Sequence, residues 1–412
     1  MLIQKPITFV RTPTPTIESR AILQYVNLTL NSNKKTGIEY RSRLHLFEVF
    51  WRSSYNFTLD DLLIKRIFNI DIYEVLSKFV SFLVSKRTYT NLTIKQYVVT
   101  VRNFFEYYDY EISVRKFKHK VKIPKTIKRK KTPLTRDLII KILESCTNFK
   151  LKTFLLCLAS TGMRAGEACS IRLQDINFKD YVINIRGEHT KTKEDRYVFL
   201  TNELYQQLKL YLDYKYRTRT LYVYYNKDTK QTLRYEKPVI FTPPRRDTDL
   251  VFATTFDKEG EIRSDELFKN VYVNMVILFE KVLDRLNVPL ELSGKRHILT
   301  PHSFRRYVKS IISDAGYTDY SEWVLGHSGS PYYTRSVDEQ YKLFKKLEPH
   351  LTYLDQTGLE VHHKDTESRL ETMERENREL RDNMNKIMEM IQQNPKFAYV
   401  KPEVLTKKLG KK

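Results

Sequence analysis

The sequence predicts a mainly helical protein with a small β-hairpin, an α+β fold built as two or three domains. Apolar residues recur at helical spacing in two stripes of the first third of the chain: Val75, Leu76, Phe79, Val80 and Leu83, then Ile94, Val98, Val101, Phe104, Phe105 and Tyr108. Alternation of apolar residues on both sides of a polar turn predicts the hairpin over 181–200. Apolar residues make up 41% of the 412 residues, which is enough to build real cores.

Changes in composition along the chain divide it into segments. We predict a flexible or extended arm, rich in Thr, Pro and Asn, a helical domain, a basic linker and a second folded domain, at 1–35, 36–114, 115–133 and 134–355. A further helix at 360–393 and a basic tail at 394–412 follow. Residues 203–262 are the hardest to interpret, because they are rich in Tyr and basic residues and fit either a DNA-contacting extension or an ordinary elaborated loop.

The charge of the chain indicates its class of partner. The 72 Lys and Arg against 49 Asp and Glu give a formal net charge of +23. A charge this large favours a polyanion as partner, with double-stranded nucleic acid ahead of an anionic membrane surface or of a merely soluble basic surface. The chain shows no signal peptide and no apolar run of membrane-spanning length, so we expect a cytoplasmic, nucleoid-associated protein. The three cysteines read as buried residues, with no disulfide and no metal site.

The linker is the most basic segment of the chain. Residues 115–131 hold ten Lys or Arg and one Pro in seventeen positions, which argues against a core element. A run of this kind is either a solvated hinge or a strap along phosphates, and such contacts give affinity without sequence information. The candidate DNA-binding residues are Lys125, Lys128, Arg129, Lys130 and Lys131.

The second domain opens with helical signals. Thr135 is a suitable N-cap for a helix, and a second apolar helix over 151–160 stops at Thr161-Gly162. We expect the next helix over about 164–171, with Arg164 near its start, where a helix N-terminus already favours an anion. Glu167 is placed to pair with Arg164 and to brace the region. Arg164 could equally be a surface residue in that pair.

Four short segments carry residues suited to attack on a phosphodiester: TGMRAGE at 161–167, HTKTK at 189–193, HSFRR at 302–306 and LGHSGSPYY at 325–333. Arginine forks hold phosphate oxygens, histidine and lysine transfer protons, and tyrosine can form a covalent ester. His302 and Arg305 are three residues apart on one face of a helix that starts after Pro301. Lys191 and Lys193 lie on the turn of the hairpin.

The order of these segments resembles the tyrosine recombinases, the phage-integrase-like site-specific recombinases, over about residues 36–350. In that family an Arg within TGxRxGE comes first, followed by a Lys on a β-hairpin, HxxR at the start of a helix, LGH and a Tyr. The resemblance implies a helical core-binding domain ahead of a catalytic domain. It also implies that DNA strands are cleaved and rejoined through a covalent 3′-phosphotyrosine, with no metal, ATP or other cofactor.

The resemblance assigns a role to each residue. It implies that Arg164 and Arg305 clamp the scissile phosphate, and that His302 and His327 donate hydrogen bonds or shuttle protons. Lys191 would be the general acid that protonates the leaving 5′ oxygen, and we prefer it to Lys193 from the register of the hairpin.

The nucleophile departs from the family pattern. At the usual spacing it would fall at position 336, which is Ser336 here. The stretch YYTRSVDEQYKLFKKLEPHLT resembles the tail of archaeal integrase-like members, in which a tyrosine precedes an Arg and an acidic helix. On that register Tyr333 is the first choice, Tyr332 the second and Tyr341 the third.

The C-terminal segment has the pattern of a coiled coil. Heptad positions a and d are occupied by Leu370, Met373, Asn377, Leu380, Met384, Ile387 and Ile391. A single Asn at an a position fixes register in parallel two-stranded coils, so we predict a dimer through this helix and a tetramer in synapsis. A lone amphipathic helix docked on its own domain is the alternative.

Two other functions stay open at this point. A type IB topoisomerase-like enzyme would use the same residues to relax DNA, and a catalytically inactive DNA-binding or architectural protein would keep the charge and the coil. The bias toward Lys, Ile, Asn and Tyr suggests an AT-rich genome, such as that of a mobile element of an archaeal virus or plasmid.

Overall fold

The computed structural model describes residues 17–66, 69–126, 132–226, 231–253, 266–291, 296–327, 335–354 and seven residues between 375 and 384. The chain divides into two compact units, Met1–Lys130 and Lys131–Lys412. The described part is mainly helical with two small antiparallel sheets, which confirms the predicted fold class. Within these ranges, no helix combines the length and the apolar character that crossing a membrane requires.

Among the described residues of the first unit, all regular elements are helices. Its helices are α1 (Arg20–Ser32), α2 (Lys34–Ser54), α3 (Leu59–Leu63), α4 (Ile72–Ser85), α5 (Asn91–Tyr107) and α6 (Val114–Lys120). Both predicted stripes lie in α4 and α5 and face the core, where only Tyr108, just after α5, is partly exposed. Aromatic rings fill the centre, and the ring of Phe47 lies 5.0 Å from that of Phe79 and 5.8 Å from that of Phe105.

The predicted flexible arm at 1–35 is wrong for its second half. Residues 20–32 form α1, whose buried face includes Ala21, Ile22, Tyr25 and Val26. The buried carboxylate of Glu48 accepts a hydrogen bond from the Ser19 backbone N–H at 2.7 Å and so fixes the start of the helix. The Thr and Asn residues that suggested an arm lie outside the narrow apolar stripe that holds α1 in place. Residues 1–16 lie outside the described residues.

The predicted linker at 115–133 also needs correction at its start. Residues 114–120 form α6, and Phe117 and Val121 belong to the core of the first unit. The guanidinium of Arg102 lies over the Phe117 ring at 5.6 Å. Two apolar side chains are therefore enough to anchor a segment whose other residues are mostly Lys and Arg. Residues 127–131 lie outside the described residues.

The second unit is organised around one buried helix. Its helices are α7 (Arg136–Glu144), α8 (Phe149–Thr161), α9 (Ala165–Ser170), α10 (Asn202–Tyr216), α11 (Glu266–Arg285), α12 (Pro301–Asp314), α13 (Thr318–Val324) and α14 (Val337–Leu347). Thr135 caps α7 as predicted, since its hydroxyl accepts from the Leu138 N–H. Every residue of α8 from Leu151 to Thr161 is buried, so this helix is the core element of the unit. The cysteines Cys146, Cys157 and Cys169 are free and buried, as predicted.

The strands of the second unit form two small sheets. Strands β1 (Ile176–Asn177), β2 (Val182–Ile185) and β3 (Arg196–Phe199) pair antiparallel in the order β1-β2-β3. The β2–β3 pairing confirms the predicted hairpin and sets Ile185 opposite Arg196. Residues 203–262, left open by the sequence, contain most of α10 and a two-stranded ribbon of β4 (Arg219–Asn226) and β5 (Gln231–Phe241).

The predicted coil at 360–393 lies almost entirely outside the described residues, as does the basic tail. The seven residues that are described there are helical. The coiled coil therefore stays a prediction.

Candidate active site

The first segment of the site is a tight turn between α8 and α9. Gly162 adopts a left-handed conformation, with φ +65°, directly after the last residue of α8. A Cβ at this position would lie 2.8 Å from Leu325 and 2.9 Å from Val308, so the turn packs closely against α12 and the residues before His327. Arg164 follows in an extended conformation at the N-cap of α9.

Glu167 holds Arg164 in place. Its carboxylate accepts from the Arg164 backbone N–H at 2.8 Å and from the Arg164 guanidinium at 2.7 Å. The predicted helix at 164–171 is confirmed as α9, although it has only six residues. The predicted pairing of Arg164 with Glu167 is also confirmed. Because α9 is this short, the positive potential at the turn comes from arginine side chains more than from a helix terminus.

A second arginine meets the same carboxylate. Arg196, at the start of β3, contacts Glu167 through both terminal nitrogens, at 2.6 and 3.3 Å. Glu167 is 1% exposed and Arg196 8% exposed, so the ion pair lies inside the protein. Burial raises the pKa of Glu167, but hydrogen bonds and charges from Arg196 and Arg164 outweigh it and hold that pKa below its ordinary value. The carboxylate is therefore ionised at neutral pH.

Arg305 joins two turns of the site. It lies in the second turn of α12, is 3% exposed, and donates to the carbonyl oxygens of Gly162, at 3.0 Å, and Leu325. Burial and then the positive charge of Arg164 lower the pKa of Arg305 to about 10. A guanidinium has five N–H donors in a planar fork, so two carbonyl contacts leave donors available for a phosphate.

The two histidines take different positions. His302 is exposed in the first turn of α12, three residues before Arg305. His327 follows α13 and is 38% exposed, with its Nδ1 hydrogen-bonded to the Glu322 carboxylate. Lys309 lies 2.5 Å from the same carboxylate. The hydrogen bond at Nδ1 orients the imidazole and leaves Nε2 as the nitrogen that can act on a ligand.

The candidate lysines lie in the segment between β2 and β3. Lys191 is exposed. Lys193 has a left-handed φ of +63°, and its ammonium donates to the backbone carbonyl of Glu188 at 3.1 Å. The segment is closed on itself by a hydrogen bond of 2.5 Å from the Gly187 N–H to Asp195. Lys193 thus stabilises its own loop, whereas Lys191 remains available at the surface.

Of the tyrosine candidates, Tyr332 and Tyr333 lie outside the described residues. Tyr341 lies on α14, where its ring packs against Phe199 with centroids 5.3 Å apart, so it contributes to a hydrophobic cluster. Ser336, at the position of the family's usual nucleophile, caps α14: its hydroxyl accepts from the Glu339 N–H.

Of the candidate DNA-binding residues of the linker, only Lys125 is described. It is exposed, and its carbonyl oxygen accepts from the Asn91 side chain at 2.8 Å. Lys128, Arg129, Lys130 and Lys131 lie outside the described residues.

The structure brings the predicted Arg164, Glu167 and Arg305 together with Arg196, whose contribution the sequence analysis missed. Arg164, Glu167, Arg196 and Glu322 all lie close enough to Arg305 to act on its pKa. The sequence did contain one signal: an arginine that begins a strand beside a buried core is unusual. It identified no partner, because Glu167 lies 29 residues away.

The part of the chain that contains most of these residues is similar to a known protein family. Residues 133–257 match the phage integrase family. The matched range lies within the second unit. The matched range includes Arg164, Glu167, Lys191 and Arg196, and the predicted resemblance to the tyrosine recombinases is confirmed.

Curated relatives of the chain come from archaea. It is 33% identical over 129 residues to tyrosine recombinase XerA of Saccharolobus solfataricus, and 27% identical over 127 residues to XerA of Pyrococcus horikoshii. Each match covers 31% of this chain, and 41% and 42% of the respective relatives. The matched part therefore spans less than half the length of either relative.

Solved structures of integrases share the fold. A lambda integrase dimer bound to a COC′ core site matches with a TM-score of 0.50 at 14% identity, over 77% of this chain and 97% of that chain. A lambda integrase tetramer bound to a Holliday junction also has a TM-score of 0.50 at 14% identity, over 81% of this chain and 84% of that chain. At this identity the likeness establishes the fold.

Proposed function

We propose that the protein is a site-specific DNA recombinase that cleaves and rejoins strands through a covalent 3′-phosphotyrosine. The observation that carries the proposal is that Arg164 and Arg196 both pair with the carboxylate of Glu167, and that Arg305 lies close enough to these three residues for their charges to act on its pKa. These groups carry an excess of positive charge in a partly buried site. A scissile phosphate supplies the missing anion, and its transition state carries still more negative charge.

Each remaining residue takes one step of the reaction. Tyr333 attacks the phosphorus and forms the phosphotyrosine bond, while the bond to the 5′ oxygen breaks. Lys191 donates a proton to that leaving oxygen. His302 and His327 donate hydrogen bonds to the phosphate or move the proton of the tyrosine. Because the phosphotyrosine conserves the energy of the bond, a second 5′-hydroxyl can rejoin the strand without ATP or metal.

Covalent trapping tests this function. The purified chain is incubated, in EDTA and without ATP, with nicked duplexes of randomised sequence whose short fragment diffuses away after cleavage. We expect a detergent-resistant protein–DNA adduct, whose sequenced DNA identifies the target. The adduct should be lost in the Tyr332→Phe/Tyr333→Phe double variant and persist in Tyr341→Phe, the matched control. Absence of an adduct in the unaltered chain would refute the enzymatic proposal and favour an inactive DNA-binding protein.

The same adduct separates recombination from relaxation. Addition of a second duplex with a free 5′-hydroxyl should transfer the trapped strand to that duplex. A chain that reseals only its own strand, and relaxes supercoiled plasmids of any sequence, would be a topoisomerase-like enzyme.

We further propose that the active assembly is a tetramer on two DNA duplexes, built from dimers joined by the helix at 360–393, and that it works in the cytoplasm at the nucleoid. Lambda integrase, which shares the fold, has been solved as a dimer bound to a core site and as a tetramer bound to a Holliday junction, which supports this proposal. Deletion of the residues after 358 should lower the number of chains per particle, as measured by light scattering. An unchanged number of chains would indicate a lone helix docked on its own domain.

A further inference from the structure

Arg196 makes three contacts that link three separate segments of the site. Its guanidinium pairs with Glu167 at 2.6 Å, its Nε donates to the carbonyl oxygen of Val324 at 3.4 Å, and its side chain lies against Gly326. We propose that Arg196 is a positioning residue for DNA cleavage: it shares the neutralisation of Glu167, so that the charge of Arg164 acts on the phosphate, and it holds the turn that carries His327. The inference rests on the proposed function.

Arg196 affects the electrostatics of the site through Glu167. Glu167 is buried and ionised, and it is shared between Arg164 and Arg196. Together, Arg164, Arg196, Arg305 and Glu167 carry a net charge of +2, while Glu322, which also acts on Arg305, is paired with Lys309 and His327. If Arg196 were neutral, Glu167 would be compensated by Arg164 alone, and one positive charge fewer would face the phosphate. A buried carboxylate that has lost one of two cations also draws the remaining cation toward itself.

Arg196 also packs against the turn that precedes His327. Gly326 has a left-handed φ of +59°, and a Cβ there would lie 2.8 Å from both Cδ and Nε of Arg196. The turn before His327 therefore rests directly on this side chain. Arg305 holds the same turn through the Leu325 carbonyl oxygen. Two arginines on successive carbonyl oxygens fix the direction in which the chain leaves α13.

A purely structural ion pair is the alternative interpretation of Arg196. It predicts a loss of stability and, through it, a uniform loss of activity. A positioning role predicts in addition that the loss depends on the charge of the scissile phosphate. Replacement of one phosphate oxygen by a methyl group gives a neutral methylphosphonate. Its transition state carries less negative charge and is therefore stabilised less by the charge of Arg164.

The experiment compares single-turnover cleavage of the trapped target sequence as a phosphodiester and as a methylphosphonate. For Arg196→Met we expect the phosphodiester rate to fall roughly 100-fold, the size of effect seen when one donor to a developing charge is lost. DNA affinity should change by less than about threefold, because many other phosphate contacts supply it. On the methylphosphonate the deficit should shrink to within about tenfold.

Two further variants complete the test. Arg196→Met/Glu167→Gln also removes the charge of the carboxylate, so it should recover part of the rate of phosphodiester cleavage. Arg196→Lys keeps the positive charge but not the planar fork, so its rate should lie between those of Arg196→Met and the unaltered chain. Arg136→Met is the matched control, since Arg136 also donates to backbone carbonyl oxygens, those of Pro349, His350 and Thr352. It should lose stability without any difference between the two substrates.

The outcomes separate the two proposals. Cleavage by Arg196→Met at the rate of the unaltered chain overturns the positioning role, as does an equal deficit on both substrates that tracks the fall in melting temperature. Either result leaves the recombinase proposal intact. Failure of the unaltered chain to form any adduct refutes the recombinase proposal, and the positioning role with it.

Discussion

Two buried carboxylates in the second unit have opposite environments. Glu167 is 1% exposed and meets the guanidinium groups of Arg164 and Arg196. Glu203 is 2% exposed, and its closest partners are the backbone N–H groups of Tyr353 and Leu354, at 2.9 and 2.5 Å. Burial raises the pKa of Glu203 to about 7, since these hydrogen bonds and the more distant cations do not offset it, whereas the pKa of Glu167 is lowered.

The difference shows how charge is distributed in this unit. At Glu203 the carboxyl group anchors the chain after α14 and needs no cation beside it. At Glu167 the paired guanidinium groups keep the carboxylate ionised, and the carboxylate in turn allows three arginines to lie close together. We expect only the second arrangement to favour an anionic ligand, because its guanidinium groups outnumber its carboxylate.

The largest expected effect separates the arginine cluster from the Glu203 anchor. In Arg305→Lys, a point charge replaces the planar fork and cannot hold two carbonyl oxygens and a phosphate at once, so single-turnover cleavage should fall by roughly 100-fold or more. Glu203→Gln, the matched control, should cleave at close to the normal rate at pH 7. Comparable losses in both variants would contradict the division of the unit into an ion-binding and an anchoring region.

The pH dependence of stability tests the carboxylates directly. Glu203 has a raised pKa in the folded state, so the folded protein binds its proton more tightly and loses stability as pH rises from about 4.5 to about 7. Glu167 has a lowered pKa, and its contribution is present above about 4.5 and is lost as pH falls through the folded value. Urea unfolding of Glu203→Gln should lack the first trend, a difference on the order of 3 kcal/mol across that range.

If the unfolding free energies of Glu203→Gln and of the unaltered chain change in parallel from pH 4.5 to 7, the pKa of Glu203 is the same in the folded and unfolded states, and its carboxylate is ionised in the fold over that range. The expected contrast, a raised pKa at Glu203 and a lowered pKa at Glu167, would then be wrong.

The smallest expected effect concerns the turn beside Arg196. Gly326→Ala places a Cβ 2.8 Å from a side chain that is pinned by Glu167, whereas Gly316→Ala, at φ +88°, has nothing within 4 Å. Both changes incur the left-handed backbone penalty of about 1 kcal/mol. Gly326→Ala should lose about 1 kcal/mol more in urea unfolding, from the close contact. Equal losses of unfolding free energy in the two variants would mean that the Arg196 side chain can move aside at little cost and does not fix the turn.

The sequence predicted a large part of the site because its signals are local. Arg164 in its turn, Glu167 three residues on, and His302 with Arg305 on one helix face all depend on spacings within one or two helical turns. Arg196 was missed because its partners come from two distant segments. The choice between Lys191 and Lys193 rested on register alone, and the loop geometry now adds a reason for Lys191.

The errors in the first unit have a similar cause. The segments of α1 and α6 are mostly polar or basic in sequence, and a few apolar residues dock each of them on a core that other helices provide. Local composition measures the exposed majority of such a helix. It does not register the two to four side chains that decide whether the helix is bound.

By itself the sequence determined the mainly helical α+β class, the basic character of the chain and the order of the site segments, and it predicted most of the residues that we propose to contact a phosphate. These properties follow from periodicity, charge and short motifs, which need no knowledge of distant contacts. Only the tertiary structure decided that Glu167 lies between two arginines, that Arg305 joins the Gly162 and Leu325 turns, and that Glu203 accepts its hydrogen bonds from backbone N–H groups. Such pairings depend on how far-separated segments pack, because burial makes a charge unfavourable or useful according to the neighbours that folding brings to it.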